Sequence, residues 1–286
     1  MFANTCPSDP VGTVDPLRRV RVRGGIDIAL SERDGRTYLS RSRERDGYKV
    51  RVPNQRGMLE VALINTGGGI AGGDRIDITV SAAARTTAVI SAPAAERIYG
   101  AAGKTPANYT ISMSLAGGAS LAWLPQETIL FDGARFERTI DVEMAEDARL
   151  VLAEALVFGR TARGEHYDTG RLRDRWKIRR GGHLVYAEAT QLFGDIGGLS
   201  ARMPTLQNMR AAATILLVGR DCETVMPGLD RVLDKMRSND FLAAASTRNG
   251  MLVVRVLARS GGALRSGLEA LLPNVCGTGL PRVWNC

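Results

Sequence analysis

The chain of 286 residues carries 38 Lys and Arg against 30 Asp and Glu, which gives a formal net charge of +8 and a sequence pI near 9.7. Hydrophobic residues make up 44% and charged residues 24%, values that exclude a disordered, collagen-like or coiled-coil protein. No apolar run reaches the roughly 18 residues of a membrane-spanning helix, and the first residues lack the features of a secretory signal. We therefore expect a cytoplasmic protein that does not enter a membrane.

Alternating apolar and polar residues predict short β-strands through most of the chain. The predicted strands are Leu59 to Asn65, Ile76 to Val80, Thr87 to Ser91, Tyr109 to Leu115, Ser120 to Leu124, Phe136 to Val142, Leu150 to Phe158, Trp176 to Ile178, Leu184 to Glu188 and Ala212 to Val218. Turn-forming pairs separate several of them, at Gly117-Gly118, Asp132-Gly133, Glu146-Asp147 and Gly181-Gly182. Such pairs favour tight turns, so we expect antiparallel hairpins in stacked sheets.

Two segments near the C-terminus show helical spacing of apolar residues. The first runs from Cys222 to Ser238, and the second runs from Ala263 to Leu272 and stops before Pro273. A strand is predicted between them, from Met251 to Ala258. No repeat or low-complexity linker divides the chain, so the sequence predicts a single β-rich domain over 1–286 with two α-helices. In that domain we expect 1–17 to be flexible, 18–218 to form the β body and 219–286 to form a helical C-terminal element.

The cysteine and lysine contents limit the function classes. Four scattered cysteines, with no C-x-x-C pair, predict free thiols rather than disulfides or a zinc site; they are Cys6, Cys222, Cys276 and Cys286. Only four of the 38 basic residues are lysines, a bias that we attribute to a GC-rich genome. A nucleic-acid-binding β-scaffold nevertheless stays open as an alternative, with salt-sensitive polynucleotide binding as its test.

A glycine-rich segment, Asn65 to Asp74, lies between two predicted strands. Phosphate-binding loops place a helix after the glycines, but here a strand pattern follows, so we predict a tight turn or a close backbone approach. Gly103-Lys104-Thr105 resembles the end of a Walker A motif, but Ile98 stands where that motif requires glycine. A small-molecule or nucleotide-binding enzyme that uses the glycine-rich segment remains a second alternative.

Acidic residues inside apolar segments are candidates for a cation site. Glu127, Glu154 and Glu165, with His166, could supply oxygen and nitrogen ligands to a divalent ion, or the carboxylates could pair with arginines. The only other histidine is His183, so the chain offers few parts for a catalytic triad.

Several of these segments, in this order, resemble the urease accessory protein UreD (UreH) family. They are Thr66 to Asp74, Thr86-Thr87 with Ile98-Tyr99, Leu124 to Phe131, Gly159-Arg160 with Gly164-Glu165, and Pro281 to Trp284. The resemblance covers residues 18–284. It implies a non-enzymatic, β-rich urease maturation protein that binds UreF directly, the GTPase UreG through UreF, and apo-urease.

The resemblance also implies that Ni²⁺ passes through the protein in transit, without a tightly bound cofactor. A passage that releases its cargo should rely on weak oxygen ligands. We therefore predict that the nickel route is lined by Asp74, Glu127, Glu154, Glu165 and His166. The residues predicted to contact a partner are Arg282, Trp284, Leu229, Leu233 and Met236.

Overall fold

The computed structural model describes residues 21–53, 57–200, 206–277 and 279–285. Its strands are β1 (Arg23–Arg33), β2 (Arg36–Arg45), β3 (Tyr48–Arg51), β4 (Leu59–Asn65), β5 (Arg75–Ala82), β6 (Thr87–Ser91), β7 (Glu96–Ile98), β8 (Ala107–Leu115), β9 (Ser120–Leu124), β10 (Thr128–Leu130), β11 (Arg135–Met144), β12 (Arg149–Phe158), β13 (Thr169–Arg180), β14 (His183–Asp195), β15 (Ala211–Val218), β16 (Phe241–Arg248) and β17 (Met251–Ala258). Its α-helices are α1 (Ile196–Ser200), α2 (Cys222–Met236) and α3 (Gly261–Cys276). The segment 1–17, which we expected to be flexible, lies outside the described residues.

The strands form two sheets. Sheet A has the order β14-β13-β11-β8-β5-β1-β2, and sheet B has the order β16-β17-β15-β12-β9-β6-β4-β3. Short strands β10 and β7 branch from the middle of sheet B. Strand β10 pairs with the second half of β12, and β7 pairs with β10.

The middle of the chain winds like a solenoid between the two sheets. Successive long strands from β4 to β13 alternate between sheet B and sheet A. From β6 onward, each of them pairs in parallel with the strand one turn earlier. Antiparallel pairs are confined to the flanking strands, such as β1 with β2 and β15 with β17. The prediction of mainly antiparallel sheets is therefore wrong.

The turns explain this error. Of the four turn-forming pairs, only Gly181-Gly182 closes an antiparallel hairpin, between β13 and β14. Gly117-Gly118 and Glu146-Asp147 instead carry the chain from sheet A to sheet B, and Asp132-Gly133 carries it back. A tight turn fixes the local change of direction, but the pairing partner depends on the rest of the fold.

Three helices are present in the described ranges, one more than predicted. The short α1 follows β14 directly, and α3 continues through Pro273 to Cys276. The helix persists past the proline because Val275, like Leu271 and Leu272 before it, is buried. None of the helices in the described ranges is long and apolar enough to cross a membrane.

Strand β12 lies between two hydrophobic cores. Its residues Leu150 and Leu152 face the core between the two sheets. The intervening Val151 and Ala153 face a second core, which α2 and α3 close over the other side of sheet B. Because alternate residues of a strand point to opposite faces, the nearly continuous apolar run of β12 serves both cores.

Candidate functional site

A cavity of about 270 Å³ opens between the two sheets. It lies where sheet B divides, since residues 92–95 separate β6 from β7 and residues 125–127 separate β9 from β10. Two groups of polar side chains line it, one around Arg138 and one around Glu96. The cavity is therefore the place where charged side chains of the interior meet open space.

The first group joins the sheets through a buried arginine. Arg138 of β11 donates from Nε to Asp174 Oδ1 at 3.0 Å and from Nη2 to Asp174 Oδ2 at 2.5 Å. Its Nη1 donates to Glu154 Oε2 of β12 in sheet B. Trp123 Nε1 donates to Glu154 Oε1 at 2.7 Å, and Trp176 Nε1 donates to Asp174 Oδ1 at 3.0 Å. Every oxygen atom of the two carboxylates thus accepts a hydrogen bond from within the protein.

Burial and charge act in opposite directions on this group. Burial alone would lower the pKa of Arg138, but the carboxylates of Asp174 and Glu154 outweigh it and raise the pKa. Burial raises the pKa of Glu154, and Arg138 opposes that shift. One guanidinium faces two carboxylates, so the ionised group carries one uncompensated negative charge in the core.

The second group contains a carboxylate whose hydrogen-bond donors are all neutral. Tyr48 Oη donates to Glu96 Oε2 at 3.1 Å, and Asn65 Nδ2 donates to Glu96 Oε1 at 2.8 Å. Within the described residues, Glu96 forms no ion pair. Burial raises the pKa of Glu96, which the two hydrogen bonds partly oppose. Among the carboxylates that line the cavity, Glu96 is the one that an incoming cation would meet without first breaking an ion pair.

The structure disperses the carboxylates predicted to line a nickel route. Glu154 lines the cavity, but Asp74 holds the turn of the glycine-rich segment instead. Asp74 Oδ1 accepts from Val22 N at 2.9 Å, and its Oδ2 accepts from Ala71 N at 2.8 Å. No group of three or more His, Cys, Asp or Glu side chains in the described residues is arranged to hold a metal ion.

Glu165 is paired with an arginine outside the cavity. Arg160 donates to Glu165 Oε2 from both Nε and Nη2, and this interaction lowers the pKa of Glu165. Next to it, His166 Nδ1 is buried and has no hydrogen-bond partner in the described residues. Glu127 is half-buried, and its backbone carbonyl accepts from Glu96 N at 2.9 Å. The prediction that these side chains bind nickel in transit stays untested.

The residues predicted to contact a partner lie mostly in the second core. Leu229 is fully buried, and Leu233 and Met236 are half-buried and pack on the same core. Trp284 is also buried, whereas Arg282 is exposed. The apolar side of α2 is therefore occupied by the chain itself, and an interface on α2 would have to use its exposed side.

The C-terminal segment is fastened to the cavity wall. Trp284 Nε1 donates to the carbonyl of Leu124 at 3.0 Å. Arg265 of α3 lies over the Trp284 ring, 4.4 Å from its centroid, and donates to the carbonyl of Trp284 and to Gln126 Oε1. Since Gln126 also lines the cavity, one residue links the cavity to the helical layer.

The glycine-rich segment forms a close contact, as predicted. Gly69 has a positive φ of 157°, and a Cβ at this position would lie 2.5 Å from the Tyr99 ring. Tyr99 Oη donates to the carbonyl of Gly68 at 2.8 Å. Gly69 thus leaves room for the Tyr99 ring.

The UreD urease accessory protein family profile matches residues 22–285. The chain belongs to the UreD family. It is 41% identical over 265 residues to the urease accessory protein UreD of Rhodopseudomonas palustris strain BisB18, which covers 92% of this chain and 94% of that protein. It is 39% identical to UreD 3 of Bradyrhizobium sp. strain BTAi1, over 97% of this chain and 99% of that protein. The UreD of Azorhizobium caulinodans is 39% identical over 93% of this chain and 97% of its own length.

Sequence reasoning missed three charged side chains of the two polar groups at this cavity. Arg138 and Asp174 stand at inward positions of strands with alternating burial. Because a buried charge needs a partner of opposite charge, these two positions could have predicted an ion pair. Glu96 gave no such signal, because its short strand follows Pro93 and two alanines without a recognisable alternation.

Proposed function

We propose that this UreD-family chain is an accessory protein of urease maturation, and that Ni²⁺ on its way to apo-urease contacts the cavity between the two sheets. The observation that supports this most is Glu96, a desolvated carboxylate at the cavity with neutral hydrogen-bond partners only. A carboxylate of this kind gains a counter-charge when a cation enters.

The chemistry of the lining suits a cargo that must leave again. Glu96, Glu154, Asn65 and Tyr48 offer oxygen atoms, and neither the cavity lining nor its described surroundings present a thiolate or an imidazole to the space. First-row divalent ions bind such oxygen sites more weakly than they bind histidine or cysteine. The lining therefore favours transient contact over storage.

In this proposal the chain performs no turnover of its own and works in the cytoplasm as part of a complex. UreF binds it directly, UreG reaches it through UreF, and apo-urease receives the nickel. The exposed side of α2 and the exposed Arg282 are the places that we assign to UreF. Helix α3, which packs on α2, connects to the nickel-contacting lining through Arg265 and Gln126.

Co-expression with the remaining urease genes tests the proposal. We expect Glu96→Gln to leave the fold and the retention of UreF unchanged and to lower the nickel content of purified urease. Glu146→Gln is the matched control, because Glu146 is an equally sized carboxylate whose ion pair with Arg180 lies outside the cavity. Normal nickel content in the Glu96→Gln preparation, with the complex intact, would exclude the cavity as the nickel contact.

A further inference from the structure

The outer face of sheet A concentrates the positive charge of the chain. Strand registers place alternate residues of β1, β2, β5, β8, β11 and β13 on this face, while the residues between them are buried in the core. Apart from Arg33 and Arg36 at the turn between β1 and β2, eleven Lys and Arg side chains share the face with five carboxylates, an excess of +6 when the whole chain carries +8. A GC-rich genome can explain why the basic residues are mostly arginines. It does not explain why so much of the net positive charge lies on one face of the fold.

One cationic band occupies the end of the face formed by β1, β2 and β5. Its members are Arg23, Arg41, Arg43, Arg45 and Arg75. Two acidic residues accompany them: Arg41 Nη2 donates to Asp27 Oδ1 at 3.0 Å, and Arg45 Nη2 donates to the backbone carbonyl of Asp77 at 3.1 Å. The band thus has more guanidinium groups than internal acceptors.

A second cationic band follows β13 and the start of β11. Its members are Arg135, Arg171, Arg173, Arg175, Lys177 and Arg179. Arg171, Arg173 and Arg175 each have a buried Nε without a hydrogen-bond partner in the described residues. Glu137 and Glu143 pair with Arg171 at 2.8 Å and Arg179 at 3.0 Å, which leaves the middle of the band with unused donors.

Hydroxyl groups fill the space between the bands. Thr79, Thr110, Ser112 and Thr139 lie on the same face. Strand β5 is two positions from β11 and three from β13, so the bands are separated by about 10–14 Å at the usual strand spacing. The exposed aromatic side chains of the face lie on its two edge strands: Tyr38 is on β2, and Phe193 is on β14, where its ring centroid is 5.3 Å from the Arg171 guanidinium. Binding to this surface would depend on charge and hydrogen bonds.

We propose that the outer face of sheet A docks an acidic surface of a protein partner, with carboxylates opposite both cationic bands. Arginine on a rigid strand presents its donors to carboxylates in a fixed geometry. A second copy of the chain would bring like charges together. A nucleic acid fits less well, because five carboxylates remain on the face to repel phosphates, and its exposed aromatic side chains, Tyr38 and Phe193, lie on opposite edge strands rather than among the bands.

Charge reversal on this face tests the proposal. The face variant combines Arg43→Glu with Lys177→Glu, since both side chains are exposed and belong to no ion pair of the described residues. The control variant combines Lys235→Glu with Arg248→Glu, which are exposed on α2 and β16 and change the net charge equally. Binding of the purified full chain is measured to apo-urease, a choice of probe that rests on the proposed function, to poly-L-glutamate, and to single-stranded DNA of equal charge.

We expect the face variant to bind apo-urease and poly-L-glutamate about tenfold more weakly than wild type at low salt, and the control variant to lose less than about threefold. The salt dependence of binding should also become shallower in the face variant alone. Equal binding by the face variant and the wild type would overturn the proposal. So would DNA binding that is much tighter than poly-L-glutamate binding and is lost in the face variant.

If the wild-type chain binds no apo-urease, the proposed function fails. The comparison on poly-L-glutamate still decides whether this face recognises carboxylates.

Discussion

Arg138 is the residue on which the charge balance of the interior depends. It is 2% exposed and holds both Glu154 and Asp174, which come from opposite sheets. Removing the arginine leaves two buried carboxylates with no cation, whereas neutralising Glu154 leaves a two-bond pair of Arg138 with Asp174. The two changes therefore differ in what remains, although each removes one charge.

We expect Arg138→Met to lower the free energy of unfolding by about 3–5 kcal/mol. Glu154→Gln should cost only about 1 kcal/mol, because a glutamine oxygen can still accept from Trp123 Nε1. Urea denaturation followed by circular dichroism at neutral pH measures both. A smaller loss for Arg138→Met than for Glu154→Gln would contradict the assigned charge balance.

Glu96 predicts a pH dependence of stability. Burial raises its pKa above the ordinary value of 4.5, so the folded chain holds the proton more tightly than the unfolded chain. Stability from this group is full below pH 4.5 and declines as pH rises through the raised pKa. Glu96→Gln keeps a neutral side chain at all pH values, so we expect its stability relative to wild type to improve from about pH 5 to about pH 8.

Urea midpoints of the two proteins at both pH values check this expectation. Because Asn65, Tyr48 and Arg97 are the groups that act on Glu96 and are present in both proteins, the difference isolates the carboxyl group. A difference that does not change with pH would show that Glu96 titrates normally.

The sequence singled out Glu154 together with Asp74 and Glu165, but it did not distinguish their surroundings. Asp74 and Glu165 look the same as Glu154 in a one-dimensional pattern, since each is an acidic residue near apolar neighbours. Their roles differ because Asp74 accepts hydrogen bonds from the backbone amides of Val22 and Ala71, whereas Glu165 pairs with Arg160. Such partners come from chain folding and cannot be derived from spacing.

At the level of secondary-structure elements, the close packing of α3 on β16 depends on a glycine. Gly267 faces Phe241 of β16, and a Cβ on Gly267 would lie 1.9 Å from the Phe241 ring. Helix and strand can approach this closely because the glycine leaves room for the ring. Gly262 in the same helix is unconstrained by comparison, since a Cβ there would meet only the Ser260 hydroxyl, at 3.9 Å.

Gly267→Ala should destabilise the chain by about 1–3 kcal/mol, because the added methyl group overpacks the second core. Gly262→Ala is the matched control and should be neutral or stabilise by about 0.5 kcal/mol, since alanine restricts the unfolded chain. Thermal unfolding of the two variants compares them directly. Equal melting temperatures would show that α3 can shift away from Phe241 without cost.

Strand bounds could be predicted well because periodicity and turn residues are local properties. The predicted segments at 59–65, 87–91, 120–124 and 251–258 match the observed strands in full. The parallel winding could not be predicted, because a parallel and an antiparallel neighbour bury the same alternate side chains. The end of α3 was misplaced for a similar reason, since burial of Val275 outweighs the local effect of Pro273.

For the molecule as a whole, β12 and β15 hold the two cores together. On β15, Ile215 faces the helical core and Leu216 faces the core between the sheets. Neither core can open without disturbing strands that the other core needs. Because the two cores share these strands, we expect the predicted single domain to unfold in one cooperative step.

We therefore expect Ile215→Ala and Leu216→Ala each to lower stability by about 2–5 kcal/mol and to shift one common unfolding transition. Tryptophan fluorescence and far-ultraviolet circular dichroism should report the same midpoint for both variants. Two separated transitions in the Ile215→Ala protein, with only the first one shifted, would indicate that the helical layer unfolds independently.

The hydrogen bond from Trp284 to Leu124 joins residues that are 160 positions apart. A ribosome adds roughly 5–20 residues per second, so roughly 8–30 s pass between the synthesis of the two partners. Throughout that interval the cavity wall at Gln126 exists without Trp284. The nascent chain thus exposes its interior to other molecules in the order of its own synthesis, and this wall can close only after Trp284 has been made.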